Sequence, residues 1–573
     1  MQKKKQGGGL LRIAMAQINS CVGNFEANTQ KILECLRQAR QSGCDIISFP
    51  ELATCGYPPE DLLFKKSFIR ENARALDAIR ANTEGIVAIV GFVDKKGTSL
   101  FKSAAIIANQ NNSDIYHNIR LPNYGVFDEK RYFHSGVRFS LYAVNDVCFG
   151  VNICEDIWIN DGVITHQAKS GAQIILTINA SPYHMGKIHL RRKVLKEQAK
   201  KNKVFMVYTN LVGGQDELVF DGQSMVVSDK GKVLSRAPAF KEGVDIVDID
   251  ITDLPKKQKP GKVMRIACAI DKEEKPILAK ARIQKLKPLE DVFNALIVGT
   301  RDYVVKNGFQ RVVLGLSGGI DSSLVAAIAA QALGKENVSG IILPSKFNSQ
   351  DSYDDARELA NNLGIEYKVI PIQEVFEKYL ELLRPSFSGV PWSVAEENLQ
   401  ARIRGNILMG FSNKFGWLVL TTGNKSEMGV GYCTLYGDMA GGFAVIKDVP
   451  KTLVYKLAEF YNAQRGKEII PKRVFLKAPT AELKENQKDS DSLPVYEVLD
   501  PLLKYYVEDD LSAVEIMRKG FAKGDVVRTM QLVDKSEYKR RQSPPGVKIT
   551  PRAFGRDRRM PITNRFKEEM NNV

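Results

Sequence analysis

A glycine-rich turn between an apolar run and a helix-forming stretch constrains this chain more than any other feature. Residues 314–323 read LGLSGGIDSS, with RVV before them and LVAAIAAQALG after them. Gly315, Gly318 and Gly319 let the backbone approach an anion closely, and the amides that open the next helix face that anion. The order of strand, glycine loop and helix predicts a phosphate-binding turn in an α/β sheet.

The polar residues of the turn support the same interpretation. Ser317, Ser322 and Ser323 add hydroxyl donors, and Asp321 offers a carboxylate to a Mg²⁺ ion that accompanies a nucleotide. The turn lacks the lysine of a Walker A loop, which argues against P-loop kinases and GTPases. An ordinary glycine turn before a helix is the alternative, but SGGxDS directly after a strand is far more specific.

The pattern of apolar runs divides the chain into an N-terminal domain at 10–250, a linker at 251–285 and a C-terminal domain at 286–573. The linker is rich in lysine and proline, as in DLPKKQKPGK. The C-terminal pattern predicts a doubly wound parallel sheet. The N-terminal pattern predicts an α/β sandwich, with strands near 47–51, 86–93, 103–108, 147–154, 173–180 and 204–212.

Composition excludes several classes of protein. No apolar run of the 573 residues approaches the ~20 needed to span a bilayer, so we expect a cytoplasmic protein without membrane contact. Eight cysteines without CxxC pairs exclude a disulfide framework and a zinc ribbon. The net charge of +16, concentrated between Lys535 and Arg565, permits nucleic-acid binding without requiring it; we expect no nucleic-acid partner and a homo-oligomer.

Two motifs in the first half place reactive side chains at the ends of predicted strands. FPELATCGYPPEDL (49–62) carries Glu51, and VNICEDIW (151–158) carries Cys154. A cysteine needs a neighbouring base to become a thiolate near neutral pH, and Glu51 can act as that base. The pair predicts a nucleophilic site that cleaves an amide, whereas a buried structural cysteine is the alternative.

The glycine turn resembles the pyrophosphatase loop of the ATP-pyrophosphatase family, which has an adenine nucleotide α-hydrolase-like fold. Within that family, four blocks resemble the NAD synthetases: ENLQARIRGNILM (397–409), TTGNKSEMGVGYCTLYGDMAGGFAVIKDVPKT (421–452), KAPTAELKENQKDSDSLPVYEVLD (477–500) and KRRQSPPGVKI (539–549). The resemblance implies an enzyme that adenylates deamido-NAD with ATP, releases pyrophosphate and lets ammonia displace AMP.

The same resemblance implies roles for individual residues. Asp321 and Glu427 are expected to share Mg²⁺ through hard oxygen ligands. The residues expected to bind ATP are Gly315, Leu316, Ser317, Gly318, Gly319, Ile320, Asp321, Ser322 and Thr422. Those expected to bind deamido-NAD are Asn398, Glu427, Tyr432, Cys433, Thr434, Leu435 and Lys539. Taken singly, Glu427 also fits a helix cap, and Lys539 fits a solvated basic run.

Residues 10–250 resemble the nitrilase superfamily, and in particular the amidase domain fused to NAD synthetases. Besides the two motifs above, LPNYGVFDEKRYF (121–133) and NLVGGQDELVFDGQS (210–224) carry the likeness. The resemblance implies an α-β-β-α sandwich that supplies ammonia from glutamine, with Glu51 as base, Cys154 as nucleophile and Glu129 as a supporting carboxylate. The residues expected to hold glutamine are Tyr124, Phe127, Glu155, Ser181 and Lys187.

One position departs from the family pattern, in which a lysine stands three residues before the LPNYGVF motif. Here that residue is Asn118. Loss of a preorganised cation beside an oxyanion typically costs ~10²–10³ in kcat, so the pattern predicts that Asn118 weakens glutamine hydrolysis and that Asn118→Lys restores it. If the segment is a strand, Arg120 points to the same face and is a less favourable substitute.

Three further hypotheses stay open beside the fused, glutamine-dependent ligase. The second is an ammonia-dependent NAD synthetase whose glutaminase half is crippled at Asn118. The third is a basic nucleic-acid-binding protein, since SGGxDS loops also occur in tRNA-modifying enzymes; a steep salt dependence of tRNA binding would favour it. The fourth, a scaffold with two vestigial sites, is weakened by the intact glycine turn.

Overall fold

A computed structural model describes residues 9–144, 146–257, 262–266, 275, 277–278 and 286–566. The chain forms two compact units. The first comprises Met1–Gln215 and Val219–Leu286, and the second comprises Asp216–Leu218 and Lys287–Val573. Each unit is described by itself below.

The first unit contains two mixed β-sheets and a short hairpin. Its strands are β1 Leu10–Gln17, β2 Ile46–Ser48, β3 Val87–Lys96, β4 Ser99–Ala108, β5 Asn111–His117, β6 Leu141–Val144, β7 Val147–Ile153, β8 Ile174–Asn179, β9 Phe205–Asn210, β10 Val212–Gln215, β11 Leu218–Asp221, β12 Met225–Val227, β13 Val233–Arg236, β14 Gly243–Asp250 and β15 Met264–Arg265. One sheet has the order β14-β1-β2-β3-β4-β5, and the other has the order β13-β12-β9-β8-β7-β6-β15.

The two sheets pack face to face, and helices cover their outer faces. The helices are α1 Phe25–Gln41, α2 Lys66–Ala81, α3 Val163–Lys169 and α4 Lys187–Asn202. Ile13 and Ile89 of one sheet share a core with Val151 and Leu176 of the other. Apolar residues spaced three or four apart on α1 fill the outer core of the first sheet. The α-β-β-α sandwich expected for this half is confirmed.

The second unit is built on a five-stranded parallel sheet. Its strands are β16 Val312–Gly315, β17 Val338–Ile342, β18 Glu366–Val369, β19 Leu418–Thr421 and β20 Phe443–Ala444, in the order β18-β17-β16-β19-β20. Chain order reverses at β16, so the crevice beyond its carboxyl end is a topological switch point, where such sheets bind ligands. The predicted glycine turn leaves β16 at this point, and the doubly wound parallel sheet is confirmed.

Helices surround this sheet. They are α5 Pro288–Lys306, α6 Ile320–Leu333, α7 Gln350–Leu363, α8 Gln373–Leu383, α9 Val394–Phe415, α10 Lys425–Val430, α11 Lys451–Arg465, α12 Lys472–Leu476, α13 Tyr496–Leu503, α14 Ala513–Met517, α15 Lys523–Lys535 and α16 Glu537–Arg540. The helix α6 follows the glycine turn and is apolar over most of its surface, because it is buried on nearly all sides.

Three smaller expectations can be compared with this fold. The 251–285 segment, expected to be a linker, includes a 3₁₀ turn at Ile251–Asp253 and the strand β15, and much of it lies outside the described residues. In the described ranges, no helix has the length and apolar character needed to cross a membrane. The seven described cysteines are free thiols, as expected.

Candidate active sites

Glu51 and Cys154 meet inside the first unit. Glu51 follows the carboxyl end of β2 and is fully buried, while Cys154 follows β7 and opens a 3₁₀ turn. One Glu51 oxygen accepts a hydrogen bond of 2.9 Å from the amide of Ala180, which fixes the carboxylate. The backbone of Cys154 has a φ of 42°, and such a strained turn at a strand end is typical of a side chain presented for reaction.

A lysine that the sequence did not single out completes this cluster. Lys102 lies on β4 with a side chain that is only 1% exposed. Its Nζ is 2.6 Å from Glu51 Oε1 and 3.3 Å from Glu129 Oε2, so the ammonium bridges the two carboxylates. Glu129 in turn accepts a hydrogen bond of 2.8 Å from the hydroxyl of Tyr57. The expected second carboxylate is therefore in place, together with an unexpected cation.

The charges of this cluster act on one another. Burial raises the pKa of the Cys154 thiol well above its ordinary value, the charge of Glu51 raises it further, and the charge of Lys102 lowers it. Burial alone would lower the pKa of Lys102, but Glu129 and Glu51 outweigh burial and raise it. Lys102 is thus held as a cation, and a base and a cation both act on the thiol.

Asn118 lies in the same neighbourhood with a different task. Its side-chain Nδ2 donates a hydrogen bond of 3.0 Å to the carbonyl of Ile153, directly before the nucleophile. Arg120 does not replace the missing lysine, because it is exposed and β5 ends at His117 before reaching it. The compensation considered for Arg120 from strand pleating is therefore wrong.

Among the residues expected to hold glutamine, Glu155 directly follows Cys154, and Tyr124 contacts Glu155. The hydroxyl of Tyr124 donates to Glu155 at 3.0 Å, and the ring of Phe127 packs edge-on against Tyr124. Lys187 stacks its ammonium 4.6 Å above the ring of Trp158. Ser181 is buried next to Ala180, and its amide donates to Asn210.

Asp156, the acidic neighbour of this group, has a structural role. It is fully buried and accepts hydrogen bonds from the Tyr116 hydroxyl at 2.8 Å and from the amides of Ile153 at 3.0 Å and Arg120 at 2.8 Å. These three bonds tie the loop after β5 to the turn that carries Cys154.

The glycine turn forms the second candidate site, at the carboxyl end of β16. The Ser317 hydroxyl lies 3.0 Å from that of Ser322, and the amide of Gly319 donates to the Ser317 oxygen at 3.2 Å. Gly318 has a φ of +75°, and a Cβ at this position would overlap the carbonyl oxygen of Ser352. The turn thus depends on glycine at this position for two independent reasons.

Two carboxylates converge beside the turn on a second unexpected lysine. The Nζ of Lys451 is 2.5 Å from Asp321 Oδ2 and 3.1 Å from Glu427 Oε1. Asn424 donates to the other Asp321 oxygen at 2.9 Å and, through its own side-chain oxygen, caps α10 by accepting the Glu427 amide at 3.0 Å. Burial raises the pKa of Glu427 to about 8 even though Lys451 lowers it. Glu427 therefore belongs both to the cap of α10 and to the charged cluster.

One cavity of the second unit joins most of the expected nucleotide residues. Its lining includes residues 315–321, Thr422, Glu427, Tyr432 and Thr434. It also includes six charged residues that the motifs did not assign: Arg404, Asp438, Lys451, Lys477, Glu482 and Asp489. Ser322 is buried beside this lining, and its hydroxyl contacts that of Ser317.

The remaining residues expected at deamido-NAD surround the cavity without lining it. Asn398 accepts a hydrogen bond of 2.8 Å from Thr434. Lys539 donates to the carbonyls of Gly431 and Cys433, both at 2.8 Å, so it holds the loop after α10. Leu435 lines a neighbouring pocket. In this structure these side chains shape the loop that faces the cavity.

Much of the basic C-terminal stretch is paired within the second unit. Lys548 lies 3.0 Å from Asp557, Arg540 lies 2.9 Å from Glu537, and Arg552 lies 3.0 Å from Asp510. These contacts use part of the positive charge inside the fold.

Comparison with known proteins agrees with the division of the chain into two units. A family described as NAD synthase matches residues 292–543, and one described as Carbon-nitrogen hydrolase matches residues 12–256. A glutamine-dependent NAD(+) synthetase of Thermotoga maritima is 48% identical over 98% of this chain and 100% of its own length. One of Aquifex aeolicus is 47% identical over 97% and 100%. The solved structure of an Acinetobacter baumannii glutamine-dependent NAD+ synthetase with ADP has a TM-score of 0.75 and 41% identity, covering 97% of this chain and 99% of that one.

Proposed function

Since this chain belongs to the glutamine-dependent NAD(+) synthetases, we propose that its second unit amidates deamido-NAD and that its first unit frees the nitrogen from glutamine. The overall reaction converts deamido-NAD, ATP, glutamine and water into NAD, AMP, pyrophosphate and glutamate. The single observation that carries the proposal is the presence of both clusters, Glu51 with Cys154 and Asp321 with Glu427, each assembled in its own unit. We assign 10–250 to the amidase, 286–573 to the synthetase and 251–285 to the connection.

In the amidase, Glu51 takes the thiol proton of Cys154 as the sulfur bonds to the carboxamide carbon of glutamine. The tetrahedral intermediate then breaks its C–N bond, and Glu51 returns the proton to the leaving nitrogen, which departs as ammonia. Water attacks the resulting thioester with Glu51 again as base, so glutamate leaves and the thiol forms anew. Tyr124, Phe127, Glu155, Ser181 and Lys187 hold the glutamine.

In the synthetase, the deamido-NAD carboxylate attacks the α-phosphorus of ATP and displaces pyrophosphate, which gives an adenylate. Ammonia then attacks the adenylated carbonyl carbon, loses a proton and displaces AMP. The amides and hydroxyls of the glycine turn receive phosphate oxygens at the start of α6. Lys451 lines the same cavity and adds positive charge near them.

The donor set beside the turn fits a magnesium ion. Mg²⁺ binds through one or two carboxylates together with substrate phosphates, and Asp321 and Glu427 already converge on one cationic point, the Lys451 ammonium. Mg²⁺ bound to these two carboxylates would neutralise phosphate charge. Asp321 and Glu427 would hold it, and Asn424 keeps Asp321 oriented.

The test of the proposed function is a comparison of nitrogen sources on one preparation. NAD, AMP and pyrophosphate should form in equal amounts with glutamine and also with ammonium, and glutamate should appear only with glutamine. NAD formation from ammonium alone, with no glutamate released from glutamine, would favour the ammonia-dependent alternative. Homo-oligomer formation and a cytoplasmic location stay predictions of the sequence.

Replacing Gly318 by alanine should lower NAD formation with either nitrogen source. The new Cβ would overlap the Ser352 carbonyl in a left-handed backbone, and strain of this kind costs about 1–3 kcal/mol. We expect KM for ATP to rise about tenfold or more. Gly410→Ala is the matched control, because nothing lies within 4 Å of its added Cβ; equal effects of both changes would contradict the role of the turn.

A further inference from the structure

We propose that Lys102 supplies the catalytic cation of the amidase site, from the strand paired with the one that ends directly before Asn118. The inference rests on the proposed function, because it assigns a role within glutamine hydrolysis at Cys154. It replaces the expectation that Asn118 leaves this site without a cation.

The pairing of two strands makes this exchange geometrically simple. β4 and β5 are antiparallel, with Ser103 opposite His117, and the amide of Asn118 donates to the Lys102 carbonyl at 2.9 Å. Lys102 and Asn118 are therefore direct cross-strand neighbours. Such neighbours point to the same face with Cβ atoms about 4.5–5.5 Å apart. A long, flexible lysine side chain starting from either position can bring its ammonium to the same point.

The surroundings of Lys102 are those of a reactive group. Its Nζ contacts the proposed base Glu51 at 2.6 Å and the supporting Glu129 at 3.3 Å. Its charge also acts on Cys154, whose side chain interacts with Glu51. A lysine that served stability alone is poorly explained here, since a buried ion pair is often no more stabilising than apolar residues of the same volume. Because it contacts the base and its charge acts on the nucleophile, the ammonium can stabilise the thiolate and the tetrahedral oxyanion.

Asn118 has taken the complementary task. Its amide group donates to the Ile153 carbonyl at 3.0 Å and so holds the residue before Cys154. A neutral side chain serves this purpose without placing a second charge in the site. We therefore expect Asn118→Lys in the unmodified chain to bring no gain in glutaminase activity.

The decisive experiment measures glutaminase activity, ammonium-dependent synthesis and melting temperature for a short set of variants. Lys102→Met should lower glutaminase kcat by ~10²–10³ and leave ammonium-dependent synthesis unchanged. Arg12→Met is the matched control: Arg12 lies on β1 of the same sheet, is 1% exposed, and pairs with Asp248 at 2.7 Å. It should lower the melting temperature without a selective loss of glutaminase activity.

Two further variants exchange the residues between the strands. Lys102→Asn should lose glutaminase activity as Lys102→Met does, and adding Asn118→Lys to it should recover at least ~10-fold. If Lys102→Met does not fold, this exchanged pair still tests the inference, because it restores one buried cation. A folded exchange variant that hydrolyses no glutamine would overturn the proposal, as would Lys102→Met with an unchanged rate.

A second measurement separates a catalytic role from a structural one. The rate at which iodoacetamide alkylates Cys154, followed on its peptide by mass spectrometry, should rise with pH at a higher midpoint in Lys102→Met than in the unmodified chain. Arg12→Met should not move that midpoint, and an unmoved midpoint in Lys102→Met counts against the proposal. If Cys154→Ala still hydrolyses glutamine, the proposed function itself fails; if only the Lys102 variants stay active, this inference alone fails.

Discussion

Replacing Asp321 by asparagine is expected to reduce NAD formation by ~10²-fold or more with glutamine and with ammonium alike. The change removes one of the two carboxylates that we propose hold the metal beside the phosphates, an effect worth several kcal/mol, at ~1.4 kcal/mol per factor of ten. Asparagine is preferred to alanine because Lys451 is 4% exposed and would otherwise lose a partner inside the fold. Initial rates with each nitrogen source are the measurement.

Glu459→Gln on α11 is the control for this prediction. Its side chain is exposed, and the same charge is removed without touching the cavity. Glutamine hydrolysis uncoupled from synthesis should survive in Asp321→Asn, since the amidase cluster lies in the other unit. A variant that forms NAD at a near-normal rate from both nitrogen sources would contradict the assignment of the ATP site.

Cys154→Ala is expected to abolish glutamine-dependent NAD formation and to spare the ammonium-dependent reaction. The thiol is the proposed attacking atom, so no thioester can form without it, whereas external ammonia bypasses the step. Glutamate release, NAD formation from each nitrogen source and a melting curve, all on one preparation, check the result.

Cys148→Ala provides the comparison, on the strand that leads to the nucleophile. Cys148 is 5% exposed and packs in the outer core of the sandwich, so its replacement should cost stability while both activities persist. If Cys154→Ala behaves in the same way, with lowered stability and retained glutaminase activity, Cys154 is a structural cysteine and the amidase proposal is wrong.

The sequence predicted those parts of the two sites whose signals are local. The turn at Gly318 can be recognised from the sequence because the strand, the glycines and the helix follow one another directly in the chain. Glu51 and Cys154 can be recognised from the sequence because each follows an apolar run that the structure shows as a strand. These signals need no knowledge of which strands pair.

Lys102 was not identified from the sequence, because its role depends on which strands pair with one another. It lies 16 positions before Asn118 in the chain, and nothing local places the two side by side. A signal was nevertheless present: the residues from Ser103 onward form an uninterrupted buried run, and a lysine entering such a run is costly unless a carboxylate meets it. Lys451 was missed for the same reason. Its partner Asp321 is distant in the chain, and its partner Glu427 lies on another helix.

The expectation for Asn118 compared this chain with the family pattern residue by residue, and such a comparison does not show which residues lie close together in the fold. The prediction of a weakened amidase assumed that a cation at this site must come from residue 118. In the structure Lys102 occupies the place between Glu51 and Glu129. If Lys102 acts as proposed, the absence of a lysine at position 118 no longer favours the ammonia-dependent alternative.

Because Lys102 and Asn118 are direct cross-strand neighbours, the order of the two substitutions that would transfer the lysine from one position to the other during evolution is restricted. Losing the lysine first leaves Glu51 and Glu129 buried without a cation, and breaking a buried pair costs about 3–5 kcal/mol. Gaining the second lysine first sets two ammonium groups against two carboxylates, which keeps the pocket close to electroneutral. An ancestor with lysines at both positions is therefore expected to stay active and to persist. An ancestor with neither lysine is expected to be inactive as an amidase. A descendant of an ancestor with both lysines keeps one of them, at position 102 or at position 118, depending on which of the two was lost later.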